Sequence, residues 1–249
     1  MKYSIGIVTY IKRYEKYFQP LIRQIKHFRP NIEIIVCVNG EYRSSFDNTY
    51  RSNVLRFMSN YENIFPTCYP NFRSLSKLWN TILINSSNNR VLLLNDDVGI
   101  NTHIFFDGLE KIISNENQRS FKINGSWSHA FLTREEVSSV GWFDERYLGV
   151  GEEDGDFEWR WGKKFGSNFQ SVYVPGVHNY VEQNDCLEDI KKVNNKYSKF
   201  NHEFAFSEKY QESDSGEEYG IMGKKFVCKS ETPPLHLAEE FYWKNRHKL

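Results

Sequence analysis

The sequence predicts an α/β fold built on a mostly parallel sheet, and three observations carry that prediction. Two nearly continuous apolar runs, residues 3–9 (YSIGIVT) and 32–38 (IEIIVCV), flank a segment whose apolar residues fall at helical spacing. That is the pattern of one βαβ unit with strands buried on both faces. A third buried run, residues 90–94 (RVLLL), ends abruptly in Asn95-Asp96-Asp97. The chain has 249 residues, 39% apolar and 16% aromatic, enough to bury one large core or one core with a smaller appendage.

Taken in order, residues 3–9 form the first strand. Pro20 opens a helix carrying Leu21, Ile22, Ile25 and Phe28 on one face, and Pro30-Asn31 breaks it. The second strand, 32–38, ends in an Asn39-Gly40 turn, and the crossover between the two strands is right-handed. Residues 41–70 are less regular, with Val54 to Met58 read as a third strand. Residues 74–84 place Leu75, Leu78, Trp79, Ile82 and Leu83 on one helical face, and the strand 90–94 follows. Residues 104–113 are a further helix, and 122–126 and 130–132 are short strands. Thr133 and Glu136 make a capping box for a helix that Gly141 ends. Residues 154–165 are helical with Gly166 as the stop, and residues 170–174 are a strand closed by Pro175-Gly176. Beyond Tyr180 the pattern weakens. Residues 209–218 read as a mobile polar loop, and Thr232-Pro233-Pro234 precedes a last short helix.

A net charge of zero argues against a general nucleic-acid footprint. Cys37, Cys68, Cys186 and Cys228 are scattered without a C-x-x-C pair, so neither a zinc site nor a disulfide framework is indicated. Reduced cysteines, no signal-peptide pattern and no apolar run of membrane-span length lead to a cytoplasmic expectation. The tail 241–249 (FYWKNRHKL) reads either as a surface helix end or as a peripheral membrane anchor at the inner face of the cytoplasmic membrane.

Two stretches carry the chemistry. Open α/β sheets bind ligands beyond the carboxyl ends of their strands, so Thr9-Tyr10, Asn39-Gly40 and Asn95 to Asp97 should line one crevice. Adjacent acids there suit a divalent cation, although Asn-Asp-Asp also makes a good turn. The second stretch is G-V-G-E-E-D-G-D-F-E-W-R, residues 149–160, which gathers Glu152, Glu153, Asp154 and Asp156 at a helix start. It reads either as a solvated cap or as the seat of an acid whose raised pKa suits a general base. Arg160 either neutralises the acids or pairs with Asp156 one turn away. His178 reads as a metal ligand or a surface histidine. Trp127, His129, Trp142 and Trp159 are core residues or sugar-stacking platforms, with Trp142 foremost because it adjoins a glycine turn.

The order of these motifs is more specific than any one of them. L-L-L-N-D-D-V, then V-G-W-F-D-E-R, then G-E-E-D-G-D-F-E-W-R, then V-Y-V-P-G-V-H resembles the family 2-like nucleotide-sugar glycosyltransferases of the GT-A fold, notably bacterial enzymes of surface polysaccharide assembly. The resemblance covers residues 4–178 and is strongest over 141–178. It implies a Rossmann-like, mostly parallel central sheet with helices on both faces and a small antiparallel subsheet on the acceptor side. It implies a core over residues 1–180, with a nucleotide-sugar half to about 100 and an acceptor half beyond, and a C-terminal extension over 181–249 that serves as acceptor contact, lid or membrane-proximal segment.

Residue by residue, the resemblance implies that Asp97 binds a divalent metal (Mn2+ or Mg2+) completed by His178, and that Asn95 and Asp96 face the donor. Asn95 replaces the family's usual first aspartate. Thr9 and Tyr10 match the loop along the nucleotide. The second strand usually ends in an aspartate; here Val38 stands there, and Asn39 or Glu41 substitutes. Asp154 matches the general base of inverting members, and Glu153 matches the acid beside the acceptor. The implied partners are a nucleotide-sugar donor and a glycan or lipid-linked saccharide acceptor. Retaining or nucleotidyl transfer on a similar sheet, and a non-enzymatic sugar-nucleotide or glycan-binding module, are the alternatives.

Overall fold

The computed structural model describes residues 2–40, 47–115, 118–180, 198–218 and 224–248. Glu41, Cys186 and Leu249 lie outside the described residues. The chain divides into two compact units, one of Met1–Arg73, Leu78–Glu136 and Gln170–Cys186, the other of Ser74–Lys77, Val137–Phe169 and Leu187–Leu249. The second unit joins the acid-rich stretch to C-terminal residues.

The first unit holds a seven-stranded sheet. Its strands are β1 (Ser4–Thr9), β2 (Ile34–Val38), β3 (Ile64–Cys68), β4 (Arg90–Asn95), β6 (Phe121–Ile123), β7 (Ser126–Thr133) and β8 (Gln170–Val172), in the order β3-β2-β1-β4-β7-β6-β8. The pairs β1·β2, β2·β3, β1·β4 and β6·β8 are parallel, and β4·β7 and β6·β7 are antiparallel. A separate antiparallel pair is formed by β5 (Val98–Ile100) and β9 (Val177–Asn179).

Helices cover both faces of this sheet, and β1 shows why. Ile5 and Ile7 share one core cluster with Leu21, Ile22 and Ile25 of α1 (Gln19–Phe28) and Phe105, Phe106 and Leu109 of α4 (Ile104–Ile113). Gly6 points the other way, since side chains alternate along a strand. A Cβ there would sit 2.2 Å from Ile82 Cγ2 of α3 (Leu75–Asn85). A glycine is therefore what lets α3 lie against the middle of the sheet.

Two sequence expectations are corrected. Val54 to Met58 is not a strand but the end of α2 (Asn48–Met58), and Asp47 caps that helix by accepting from Thr49 N and Tyr50 N. The strand lies further on, at β3, whose Pro66 lacks a backbone donor and suits its edge position. Ahead of α5 (Arg134–Val140), Thr133 N donates to Ser120 Oγ at 2.8 Å, and the same serine is held by Glu136. The Glu136 Oε2 accepts from the backbone N–H and the hydroxyl of Ser120, at 2.8 and 2.7 Å.

In the second unit, α6 (Glu153–Phe165) ends at Gly166 in the left-handed conformation, as a C-terminal glycine stop should. A helix over residues 198–204, α7, precedes a hairpin of β10 (Tyr210–Glu218) and β11 (Lys225–Cys228), and α8 (Leu235–Asn245) follows. The expected loop over 209–218 is thus an antiparallel strand. Tyr147, Phe204, Ala205, Tyr210 and Phe226 form the apolar core around it. Among the described residues, no helix is long and apolar enough to cross a membrane.

Candidate active site: a strand-end acid pair and a buried acid helix

In the first unit, β1 is joined through α1 to β2 on one side, while β4 lies on its other side. The chain therefore reverses direction between β1 and β4, and such a switch point opens a crevice at the strands' carboxyl ends. Val8 pairs with Asn95, so Thr9-Tyr10 and Asn95 to Asp97 emerge side by side. Asn39 N donates to Thr9 O at 2.8 Å and brings the end of β2 alongside. The three strand ends named from sequence are neighbours.

Asn39 uses most of its amide on the chain itself. Its Nδ2 donates to Arg73 O at 2.9 Å, and its Oδ1 accepts from Gly40 N at 3.0 Å and Arg73 N at 2.8 Å. One N–H is left for a ligand. Asp96 and Asp97 are 1% and 2% exposed. Burial pushes the Asp96 carboxyl up to about 6, against the pull of Arg13 and with the push of Asp97. The oxygens Asn95 Oδ1 and Asp96 Oδ2 are buried without a hydrogen-bond partner.

Sequence reading missed Arg13. A tight turn over Ile11–Arg13, closed by Arg13 N donating to Tyr10 O, swings its side chain back over the strand ends. Its Nη1 lies 3.0 Å from Asp96 Oδ1 and 3.0 Å from Asp97 Oδ2. The guanidinium carbon sits 5.6 Å from the Tyr10 ring centroid. Nothing in the local sequence announces a contact with residues more than eighty positions away.

His178 is placed by the β5·β9 pair, opposite Gly99. A Cβ on Gly99 would lie 2.4 Å from His178 Cε1, so the glycine makes room for the ring. Tyr180 N donates to Asp97 O at 2.9 Å, and the Tyr180 ring meets His178 edge-on with centroids 4.6 Å apart. Asp97 and His178 are thus brought onto adjacent short segments. Among the described residues, no cluster of three or more His, Cys, Asp or Glu side chains is arranged to hold a metal. With two buried acids and orphaned acceptor oxygens, the residues fit a divalent cation that completes its shell with ligand oxygens rather than one held in an all-protein cage. Trp127, from the same unit, is half-buried and stacks on buried Trp79 with centroids 5.9 Å apart.

Among the described residues of the second unit, Trp142 (φ +66°) and Glu152 (φ +70°) are non-glycine residues in left-handed backbone conformations. Such conformations carry strain and concentrate at functional sites. Glu152 leads into α6, so the next two acids fall in its first turn. Glu153 is 3% exposed, and its Oε2 has no hydrogen-bond partner. Burial, and then the Asp154 charge, hold its carboxyl well above the ordinary 4.5. Asp154 is half-buried, accepts from Gly155 N at 2.9 Å, and is also raised by burial.

Asp156 belongs to a different system. It pairs with Arg160 at 2.7 Å and with Lys209 at 2.5 Å, and accepts from Tyr210 Oη. Arg160 takes the i,i+4 alternative and also donates to Val140 O at 3.0 Å. The acid cluster of the sequence is therefore split. Glu153 and Asp154 carry raised pKa values, whereas Asp156 is compensated.

The raised Glu153 value makes a stability prediction. Between the ordinary 4.5 and its higher folded value, the folded chain binds more protons than the unfolded one. Its stabilising contribution is full below the ordinary value and is lost as pH rises through the folded one. Glu153→Gln should melt above the wild type at about pH 8, with the gap closing by about pH 4. Thermal denaturation across pH checks this, and equal melting at both pH values refutes it.

The fold and the strand-end crevice place the chain among proteins with the GT-A glycosyltransferase fold. No protein-family model matches the chain, and no curated protein matches it. Solved structures do. The chain is similar to glucosyl-3-phosphoglycerate synthase from Mycobacterium tuberculosis, solved with Mn2+, UDP and phosphoglyceric acid, at TM-score 0.59 and 11% identity over 95% of this chain and 90% of that one. It is similar to the mannosyltransferase PcManGT from Pyrobaculum calidifontis, solved with GDP-Man and Mn2+, at TM-score 0.54 and 14% identity over 70% of this chain and 55% of that one. It is also similar to TarS from S. aureus, at TM-score 0.52 and 17% identity over 84% of this chain. It spans 44% of the length of TarS.

Proposed function

We propose that the chain is a metal-dependent inverting glycosyltransferase that moves a sugar from a nucleoside-diphosphate sugar to a hydroxyl of a glycan or lipid-linked acceptor. The observation that carries this is the buried Asp96–Asp97 pair at the switch-point crevice, with His178 on the strand that pairs with the one following it. Structural neighbours solved with Mn2+ and nucleotides support the reading.

Asp97 and His178 would hold the cation. When bound, it would supply Lewis-acid stabilisation of the leaving diphosphate. Thr9, Tyr10, Asn39, Asn95 and Asp96 position the nucleotide and donor sugar. Asp154 takes the proton of the acceptor hydroxyl, for which its raised pKa suits it. Glu153, Trp142 and Trp127 contact the acceptor. Glu153 has a competing claim to the base, because it is more deeply buried than Asp154 and has an orphaned oxygen. The biological setting we infer is bacterial surface-polysaccharide assembly, with the basic aromatic end of α8 touching the cytoplasmic membrane face.

The test is a thermal-shift panel of UDP, GDP, CMP and dTDP with and without Mn2+. One nucleotide is expected to stabilise the protein only when metal is present, by about 2–3 kcal/mol at a hundredfold excess over its Kd. No shift with any of them sinks the donor-site assignment. Inversion is read separately, from the anomeric configuration of the product.

A further inference from the structure

The strand-end site leaves buried groups of both signs unsatisfied. Asn95 Oδ1 and Asp96 Oδ2 are acceptors without a partner, and Arg13 Nε is a buried donor without one. Orphaned acceptors beside two carboxylates call for a cation, and an orphaned guanidinium donor calls for an anion. A divalent cation carrying a nucleoside diphosphate supplies both at once. Without it, two adjacent carboxylates with side chains 2% and 4% exposed need a positive charge, and Arg13 Nη1 provides it to both at 3.0 Å. A metal on Asp97 would sit about 2 Å from a carboxylate oxygen. It could not share that carboxylate with a guanidinium in its present position without close repulsion between like charges.

Resting on the donor site proposed above, we propose that Arg13 is the internal counter-ion of the acid pair. It holds Asp96 and Asp97 while the crevice is empty, and moves its guanidinium to the diphosphate when a divalent cation takes Asp97. The tight turn over Ile11–Arg13 keeps the side chain anchored close to the strand ends, so the exchange requires a change of side-chain rotamer and no unfolding. The consequence is coupling. Metal alone must displace Arg13 with nothing for it to bind, whereas metal and nucleotide together give both charges a partner. The two ligands should therefore bind with strong positive cooperativity.

The experiment is calorimetric titration of Mn2+ into the wild type, Arg13→Gln and Arg13→Lys, each with and without the nucleotide found in the thermal panel. Arg13→Gln should bind Mn2+ alone at least about fivefold more tightly than the wild type and lose most of the cooperativity with nucleotide. Its nucleotide affinity at saturating Mn2+ should fall at least about fivefold, because a guanidinium contact to the diphosphate is gone. Arg13→Lys keeps the charge without the fork, and should retain part of the coupling. Equal affinity of wild type and Arg13→Gln for Mn2+ alone, or of wild type and the equally uncharged Arg13→Met if the glutamine form does not fold, overturns the counter-ion role while leaving the donor site standing. Absence of Mn2+ binding by every form, with or without nucleotide, overturns the donor site and this proposal with it.

Discussion

Lys209→Met is expected to destabilise the protein by about 3–5 kcal/mol, the cost of removing one partner from a buried ion pair. Lys209 is fully buried, with Asp144 at 2.6 Å and Asp156 at 2.5 Å, and both carboxylates are themselves fully buried. Arg146 grips Asp144 at 2.7 Å and Arg160 grips Asp156 at 2.7 Å, and Lys209 contacts both carboxylates directly. Its removal leaves two carboxylates that repel each other. Denaturant unfolding at neutral pH reads the loss, and the double variant Lys209→Met with Asp144→Asn should recover part of it. A loss under about 1 kcal/mol would mean that the two arginines suffice.

The same network sets an acid limit. Burial pushes Asp144 and Asp156 up, but Lys209 with Arg146, and Arg160 with Lys209, outweigh it and hold both below the ordinary 3.8. The stabilisation is therefore present above that value and is lost as pH falls through the folded values. The network also gives the C-terminal residues a definite structural part. Arg146 donates to Ser230 O and Glu231 O at 3.1 and 3.0 Å, and Lys209 to Thr232 Oγ1 at 3.2 Å, so the segment after β11 is bolted to Lys209, just ahead of β10, and to Arg146, which leads toward α6. Variants around Lys209 report on the acid helix as much as on the C-terminal segment.

What the sequence disclosed follows period and composition. β1, β2 and β4 were legible because buried parallel strands are unbroken apolar runs, and α4 and α6 because their apolar faces or glycine stops are local signals. Val54 to Met58 misled because a short run with Val54, Leu55, Phe57 and Met58 fits both periods, and the deciding cap, Asp47, lies outside it. β3 was hidden by Pro66, and β10 by a polar face. The strand-end crevice was legible as three strand ends, since topology alone brings them together. Arg13 and Lys209 were not, because a buried charge is defined by its partner, and theirs lie 83 and 65 positions away.

Asp154→Asn is expected to lower transfer by at least about 10²-fold, and up to about 10⁴-fold, while leaving metal-dependent nucleotide affinity within about twofold. The change keeps shape and removes only the ability to take a proton, so a fall in kcat with unchanged donor binding identifies a base rather than a scaffold. Glu153→Gln is the necessary comparison. Both carboxyls are raised by burial, but only Asp154 is half-exposed, and a base must reach its substrate's proton. If Asp154 is the base, Glu153→Gln should cost acceptor KM more than kcat and should gain stability at high pH, since its buried charge is removed. If instead Glu153→Gln abolishes turnover and Asp154→Asn keeps near wild-type kcat, the two roles are exchanged. Glu152 takes the left-handed conformation one residue before the pair, so Glu153 and Asp154 enter the first turn of α6 from a backbone geometry that few non-glycine residues adopt.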